Sequence, residues 1–385
     1  MKKNIIYILL IFVCVFCLFL VFNRTSYSEK QVTNNDLEKT YEKENDLFFD
    51  YYDEAEELMK DMSIADKISQ LFIIRYDSPL YGADPSYIGG FILYGSFFKD
   101  RTPKRVNRYV SNLQNEAKIK YAIAVDEEGG TVSRISAYKQ FRNSKFLSPN
   151  KLYKKGGIDL LLETEDEKDE LLKSLQINLN LAPVADVSTD KDDFMNDRTI
   201  GKDAITTASY ISAVTKIAKE NGISTCLKHF PGYGNNGDTH YGSIVDKRKL
   251  SYLEENDFLP FKGGIDAGTP FIMVSHNILE DVDSIYPTSL SKKVIDILKN
   301  DLEYSGIIMS DDISMTALDS FNADNKAAIL AINAGVDMIM SSDYSLHYSQ
   351  LLSAYKKGEI TKERVEYSAK KIIAWKIAYG IIENK

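Results

Sequence analysis

The sequence predicts an α/β protein whose single catalytic domain is a (β/α)8 barrel of the TIM type. Three observations predict it. Short apolar runs of β type recur eight times, each followed by a polar stretch of helical type: Leu71 to Tyr76, Gly90 to Tyr94, Tyr121 to Val125, Leu179 to Val187, Ile223 to Leu227, Phe271 to Val274, Gly306 to Met309 and Met338 to Met340. Their apolarity is continuous and not alternating, as in strands buried on both faces of a parallel sheet. They spread over roughly 300 residues, and polar side chains gather just after them, where active sites of that fold collect. A doubly wound sheet is the alternative, because a count of strands does not show closure.

The elements follow in order. Lys2 and Lys3 precede an apolar run of 18 residues from Ile5 to Phe22, closed by Asn23 and Arg24. That length is near the minimum for spanning a bilayer and exceeds most signal-peptide cores. Residues 1–28 are read as an uncleaved membrane anchor, with Ser26-Tyr27-Ser28 leaving a cleaved, secreted form open. The leading lysines place the N-terminus inside and the remainder outside the cytoplasm. Cys14 and Cys17 lack the small preceding residue that a lipid-attachment site wants. Residues 29–50 are polar and mixed in charge, which suits a solvated tether. Residues 51–385 form the catalytic domain, where Cys226 is the only cysteine, so no internal disulfide forms there.

Within the barrel, Asp126 and Glu127 follow the third run, Asp186 the fourth, Lys228-His229 the fifth, Ser275-His276 the sixth and Asp311-Asp312 the seventh. Helix N-caps account for some of the aspartates and serines, but not for the lysine and histidines. The richest stretch is Cys226 to Ser243, which holds two of the four histidines. Gly232, Gly234, Gly237 and the Asn235-Asn236 pair loosen its backbone, so His240 rides on a loop able to carry a proton donor. A plain surface turn is the competing reading, and Lys228-His229, at the end of an apolar run, weighs against it. His347 reads as a surface residue.

Composition bounds the partners. With 385 residues and 44% hydrophobic content the chain buries a large core, and a net charge of −9 excludes nucleic acid as a general partner.

Six ordered motifs carry a resemblance: MSIADKISQLF (62–72), DEEGGTVSR (126–134), NLAPVADV (180–187), KHFPGYG (228–234), DTH (238–240) and IIMSDDISM (307–315). From about Leu58 to its C-terminus the chain resembles glycoside hydrolase family 3, in its single-domain β-N-acetylglucosaminidase form. The resemblance implies a retaining enzyme acting on a glycan with terminal N-acetylglucosamine, of cell-wall or related origin, as a monomer without cofactor or metal. It implies Asp311 as nucleophile, His240 as acid/base with Asp238 as its partner, and Asp126, Arg134, Arg198, Lys228 and His229 as the sugar pocket. Double displacement needs those two kinds of group, a carboxylate to attack the anomeric carbon and a proton donor for the leaving oxygen. A carboxylate beside an imidazole stabilises its cation and fixes its tautomer. The chain departs from the family's commonest loop by one residue fewer between Pro231 and His240, and by Tyr233 and Asn235 in place of a histidine and an aspartate. Arg134 and Lys228 read equally well as ion pairs with Asp126 or Asp186, His276 as lining the pocket or orienting a loop, and Asp312 as a helix cap.

Three other functions fit parts of the pattern. A metal-dependent hydrolase would use histidines and carboxylates at strand ends, but no His-x-His follows the first strand. A tethered sugar-binding receptor would not need both Asp311 and the Asp238-His240 pair. A glycosyl phosphorylase on the same scaffold would be separated by its dependence on phosphate.

Overall fold

The computed structural model describes residues 46–80 and 84–383. Eight parallel strands run in chain order: β1 (Phe72–Arg75), β2 (Gly90–Ile92), β3 (Ala122–Val125), β4 (Leu179–Asn180), β5 (Ser224–Phe230), β6 (Phe271–Val274), β7 (Ile307–Ser310) and β8 (Ile339–Ser341). Each pairs with its neighbour in sequence, and β8 pairs with β1 through Phe72–Ile339, Ile73–Met340 and Ile74–Ser341. The seam between β7 and β8 carries a parallel bridge, Met309 to Met338, and the N–H of Ser310 donates to the Met338 carbonyl at 3.0 Å. A doubly wound sheet reverses its strand order from the middle outward. This sequential order, with its two ends joined, makes a nearly closed barrel.

All eight apolar runs became strands; most bounds shift by a residue or two, and two runs differ by more. β4 stops at Asn180 because Pro183 has no N–H to continue the ladder; a lone bridge from Val184 to Lys228 resumes the pairing. β5 runs three residues past the apolar stretch, so Lys228 and His229 belong to the strand itself. Its register against β6 shifts between Leu227 and Phe230.

Several helices begin at a side-chain cap. Ser63 forms a capping box with Asp66, and Thr102, Asp203 and Thr361 accept from the third residue of their helices. The last helix, Lys362–Ala378, covers the N-terminal end of the barrel: Trp375 donates to Ser224 Oγ at 2.9 Å and packs edge-on against Phe271, and Lys376 reaches Gln70.

The domain starts earlier than composition suggested. Residues 46–50, placed in the tether, are part of the fold: Phe48 is buried, and Asp46 accepts from the hydroxyls of Tyr52 and Tyr367. His347 is also not on the surface; it is buried with Nδ1 2.8 Å from Ser341 Oγ, where one face of the helix Tyr344–Lys356 meets β8. The anchor and the tether up to residue 45 lie outside the described residues. Among the described residues, no helix is long and apolar enough to cross a membrane.

Candidate active site

The floor of the site is a buried ion network at the C-terminal ends of β3 and β5. Lys228, 3% exposed, donates to Asp126 Oδ1 at 2.9 Å and lies 2.6 Å from Glu128 Oε1. Arg198, on the long connection after β4, grips Glu128 in a fork, Nε to Oε2 at 3.0 Å and Nη2 to Oε1 at 2.8 Å. Burial pushes the Glu128 carboxyl up, but Lys228 and Arg198 outweigh it and hold it well below the usual carboxylate range. Burial likewise disfavours charge on Lys228 and Arg198, and their acidic partners overcome it, so both stay protonated. Arg134 comes only within 3.9 Å of Asp126, and its buried Nε has no hydrogen-bond partner among the described residues.

Glu128 was missed by sequence reasoning, which singled out Asp126 and Glu127. The strand period gives the signal: residues 126 and 128 share a face while 127 points away. Accordingly Glu127 turns aside and accepts from the backbone of Arg134, Ile135 and Ser136.

His229 stands beside this network. Its Nδ1 lies 2.9 Å from Asp186 Oδ2, and its Nε2 lies 3.5 Å from Arg198 Nη2. A carboxylate only accepts, so Nδ1 carries the proton. Asp186 also takes the N–H groups of His229 and Tyr233, which fixes the start of the loop after β5.

At the end of β7, two adjacent carboxylates are used differently. Asp312 is engaged on both oxygens, accepting from the N–H of Ser314, the N–H of Ser342 and the Ser342 hydroxyl, and so ties the turn to β8. Asp311, 9% exposed, accepts a single hydrogen bond among the described residues, from the N–H of Asp312 at 2.8 Å. Burial raises its pKa, but the imidazoles of His276, His229 and His240 and that N–H lower it further, leaving it below the ordinary value. His276 is itself pushed toward neutrality by burial, which weakens its own share of that lowering. His276 donates from Nε2 to the Asp312 carbonyl at 3.0 Å and therefore accepts at Nδ1 from Ser289. Both ring nitrogens are thus used within the fold, tying Ser289 to the turn after β7.

Asp238 and His240 sit on the loop after β5. Asp238 caps the single turn Thr239–Tyr241, accepting the N–H of His240 at 2.9 Å, and its Oδ1 lies 2.6 Å from His240 Nδ1. That contact leaves Nε2 to face a ligand. The His240 side chain is 61% exposed. Among the described residues no group of three or more His, Cys, Asp or Glu is arranged to hold a metal ion.

Comparison with known proteins matches the chain to one family. A family model described as the glycosyl hydrolase family 3 N terminal domain matches residues 64–375. A beta-hexosaminidase of Photobacterium profundum is 31% identical over 265 residues, covering 66% of this chain and 74% of that protein. The beta-hexosaminidase LpqI of Mycobacterium tuberculosis is 27% identical over 266 residues, 66% of this chain and 68% of that one. Among solved structures, a glycoside hydrolase family 3 beta-N-acetylglucosaminidase from Paenibacillus sp. superposes with a TM-score of 0.75 at 24% identity, over 84% of this chain. The chain spans 64% of the length of that Paenibacillus protein.

Proposed function

We propose a function for this chain from the premise that it belongs to glycosyl hydrolase family 3. It is a retaining exo-β-N-acetylglucosaminidase, which releases terminal N-acetylglucosamine from peptidoglycan-derived or related wall glycans. Asp311 attacks the anomeric carbon to form a glycosyl-aspartate; His240 protonates the departing oxygen from Nε2 and then, neutral, takes a proton from the incoming water. Asp238 holds the ring by Nδ1 and stabilises its cation. Asp126, Arg134, Arg198, Lys228 and His229 bind the sugar, whose hydroxyls and amide suit charged groups with several donors.

The observation that carries this reading is the contrast at the end of β7. Asp312 is consumed by the fold, while its neighbour Asp311 is held ionised with one hydrogen bond, as a nucleophile requires. The named activities of the hexosaminidase relatives support the substrate class. Residues 1–28 would anchor the enzyme, with the tether that follows holding a monomeric domain outside the cytoplasm.

A panel of nitrophenyl N-acetylglucosaminide, glucoside and N-acetylgalactosaminide tests the substrate. The first should be cleaved fastest, without added metal, and unaffected by a chelator. Proton NMR should show the β-anomer as first product; an α-anomer would exclude retention. Product formation that requires inorganic phosphate would make the enzyme a phosphorylase.

A further inference from the structure

The Asp238–His240 pair is closed on itself. Asp238 accepts both the N–H and the Nδ1 proton of His240 from two residues away, so it fixes the ring relative to its own turn. It does nothing to fix that turn relative to Asp311. The ring itself is mostly in solvent, although Thr239 beside it is buried, so packing holds the turn and not the ring. Proton transfer nevertheless needs the donor within hydrogen-bond reach of the leaving oxygen, roughly 2.6–3.2 Å.

Among the described residues, two hydroxyls tie this turn to the rest of the fold. Thr316 Oγ1 donates to the His240 carbonyl at 2.7 Å. Tyr233 Oη lies 2.6 Å from Thr239 Oγ1. Both anchors belong to segments that are themselves hydrogen-bonded into the fold. Thr316 follows Asp311 by five residues, in a turn locked to β8 by Asp312 and by the N–H of Ile313 on the Met340 carbonyl. Tyr233 is buried, its N–H on Asp186 and its ring edge-on to His229 at 4.9 Å.

We propose that Thr316 is a positioning residue whose hydroxyl latches the acid/base turn to the nucleophile turn, with Tyr233 holding the same turn to the floor of the sugar pocket. The pair sets the height of His240 over the bond to be cleaved. This rests on the assignment of Asp311 and His240 given above. It also gives a purpose to Tyr233, which departs from the family's usual loop.

The test is kcat/KM on two β-N-acetylglucosaminides, the methyl glycoside and the 2,4-dinitrophenyl glycoside, since only the first needs its leaving group protonated. Thr316→Val should lose about fivefold on the methyl glycoside, equivalent to the ~1 kcal/mol of a neutral hydrogen bond, and about twofold or less on the dinitrophenyl one. Thr316→Ser should restore the first value. Tyr233→Phe, which keeps the ring against His229, should show the same selective loss. Equal losses on both substrates, no loss at all, or no rescue by serine would overturn the latch. His240→Ala, run alongside, separates the two readings: if it shows no selectivity for the leaving group, the acid/base assignment fails, and the latch fails with it.

Discussion

At the scale of single residues, neighbours of the same type do different work. Asp311→Ala should remove turnover on every aglycone, by on the order of 10⁴-fold or more in kcat, because in the proposed mechanism no other group forms the glycosyl-enzyme. Asp312→Asn should cost about 1–2 kcal/mol of stability, from disturbed bonds to Ser314 and Ser342, with a much smaller loss of rate. Steady-state kinetics and urea unfolding of both variants check this, and a reversed order would shift the nucleophile by one residue. Lys228 and His229 stood out in the sequence because a lysine and a histidine closing an apolar run have no packing or capping use, whereas Asp311 and His240 took their roles from the family resemblance. Glu128 did not stand out. Strand alternation puts it on the face of Asp126, but its partners Arg198 and Lys228 are 70 and 100 positions away, and no local pattern names them.

At the scale of elements, the strand-to-loop passage from β5 is built around backbone that only glycine accepts. Gly232 has φ of +111°, and a Cβ there would lie 2.5 Å from Asp257 Oδ1. Asp257 cannot withdraw, because Arg248 bridges it to Asp246 and donates to the Gly232 carbonyl. Gly222, before β5, has φ of +75° with nothing near its missing Cβ. Gly222→Ala should therefore cost about 1 kcal/mol and leave kinetics unchanged, whereas Gly232→Ala adds a clash to the strain, costs about 2–3 kcal/mol and lowers activity through the displaced loop. Denaturation midpoints and kcat/KM of the pair measure the difference. The glycines were legible as a loop; that they serve rigid placement, not looseness, was not, because Arg248 and Asp257 lie beyond the motif. Likewise the end of β5 was misjudged at Leu227, since strand ends were read from apolarity and this strand carries its pocket residues inside its own pairing.

At the scale of the whole molecule, the barrel separates chemistry from stability between its two ends, and eight continuous apolar runs made that architecture readable. The start of the domain was less so: residues 46–50 look like tether by composition, and only the distant Tyr367 shows why Asp46 belongs to the fold. The N-terminal end of the barrel holds a second buried carboxylate cluster, in which Asp337 accepts from Arg364, Lys371 and Ser368. Burial raises the Asp337 pKa, but Lys371, Lys299 and Arg364 outweigh it and depress it below the ordinary value, as happens to Glu128 at the other end. A depressed carboxyl stabilises the fold above its unfolded pKa of about 3.9, and that contribution is lost as pH falls through the folded value. Asp337→Asn should thus cost about 3 kcal/mol at neutral pH, by leaving buried cations without their counter-charge, and its deficit against the parent protein should shrink steadily below about pH 4. Its kcat/KM should stay within about twofold of the parent value, since the cluster lies at the end of the barrel away from the active site. Glu128→Gln should show a similar loss of stability with the same acid dependence, but it should also raise KM, because the cations it releases are the ones assigned to the sugar. Measuring unfolding free energy from pH 3 to 8 together with kcat/KM for both variants decides the matter: a catalytic defect in Asp337→Asn, or an unchanged KM in Glu128→Gln, would contradict this division of labour.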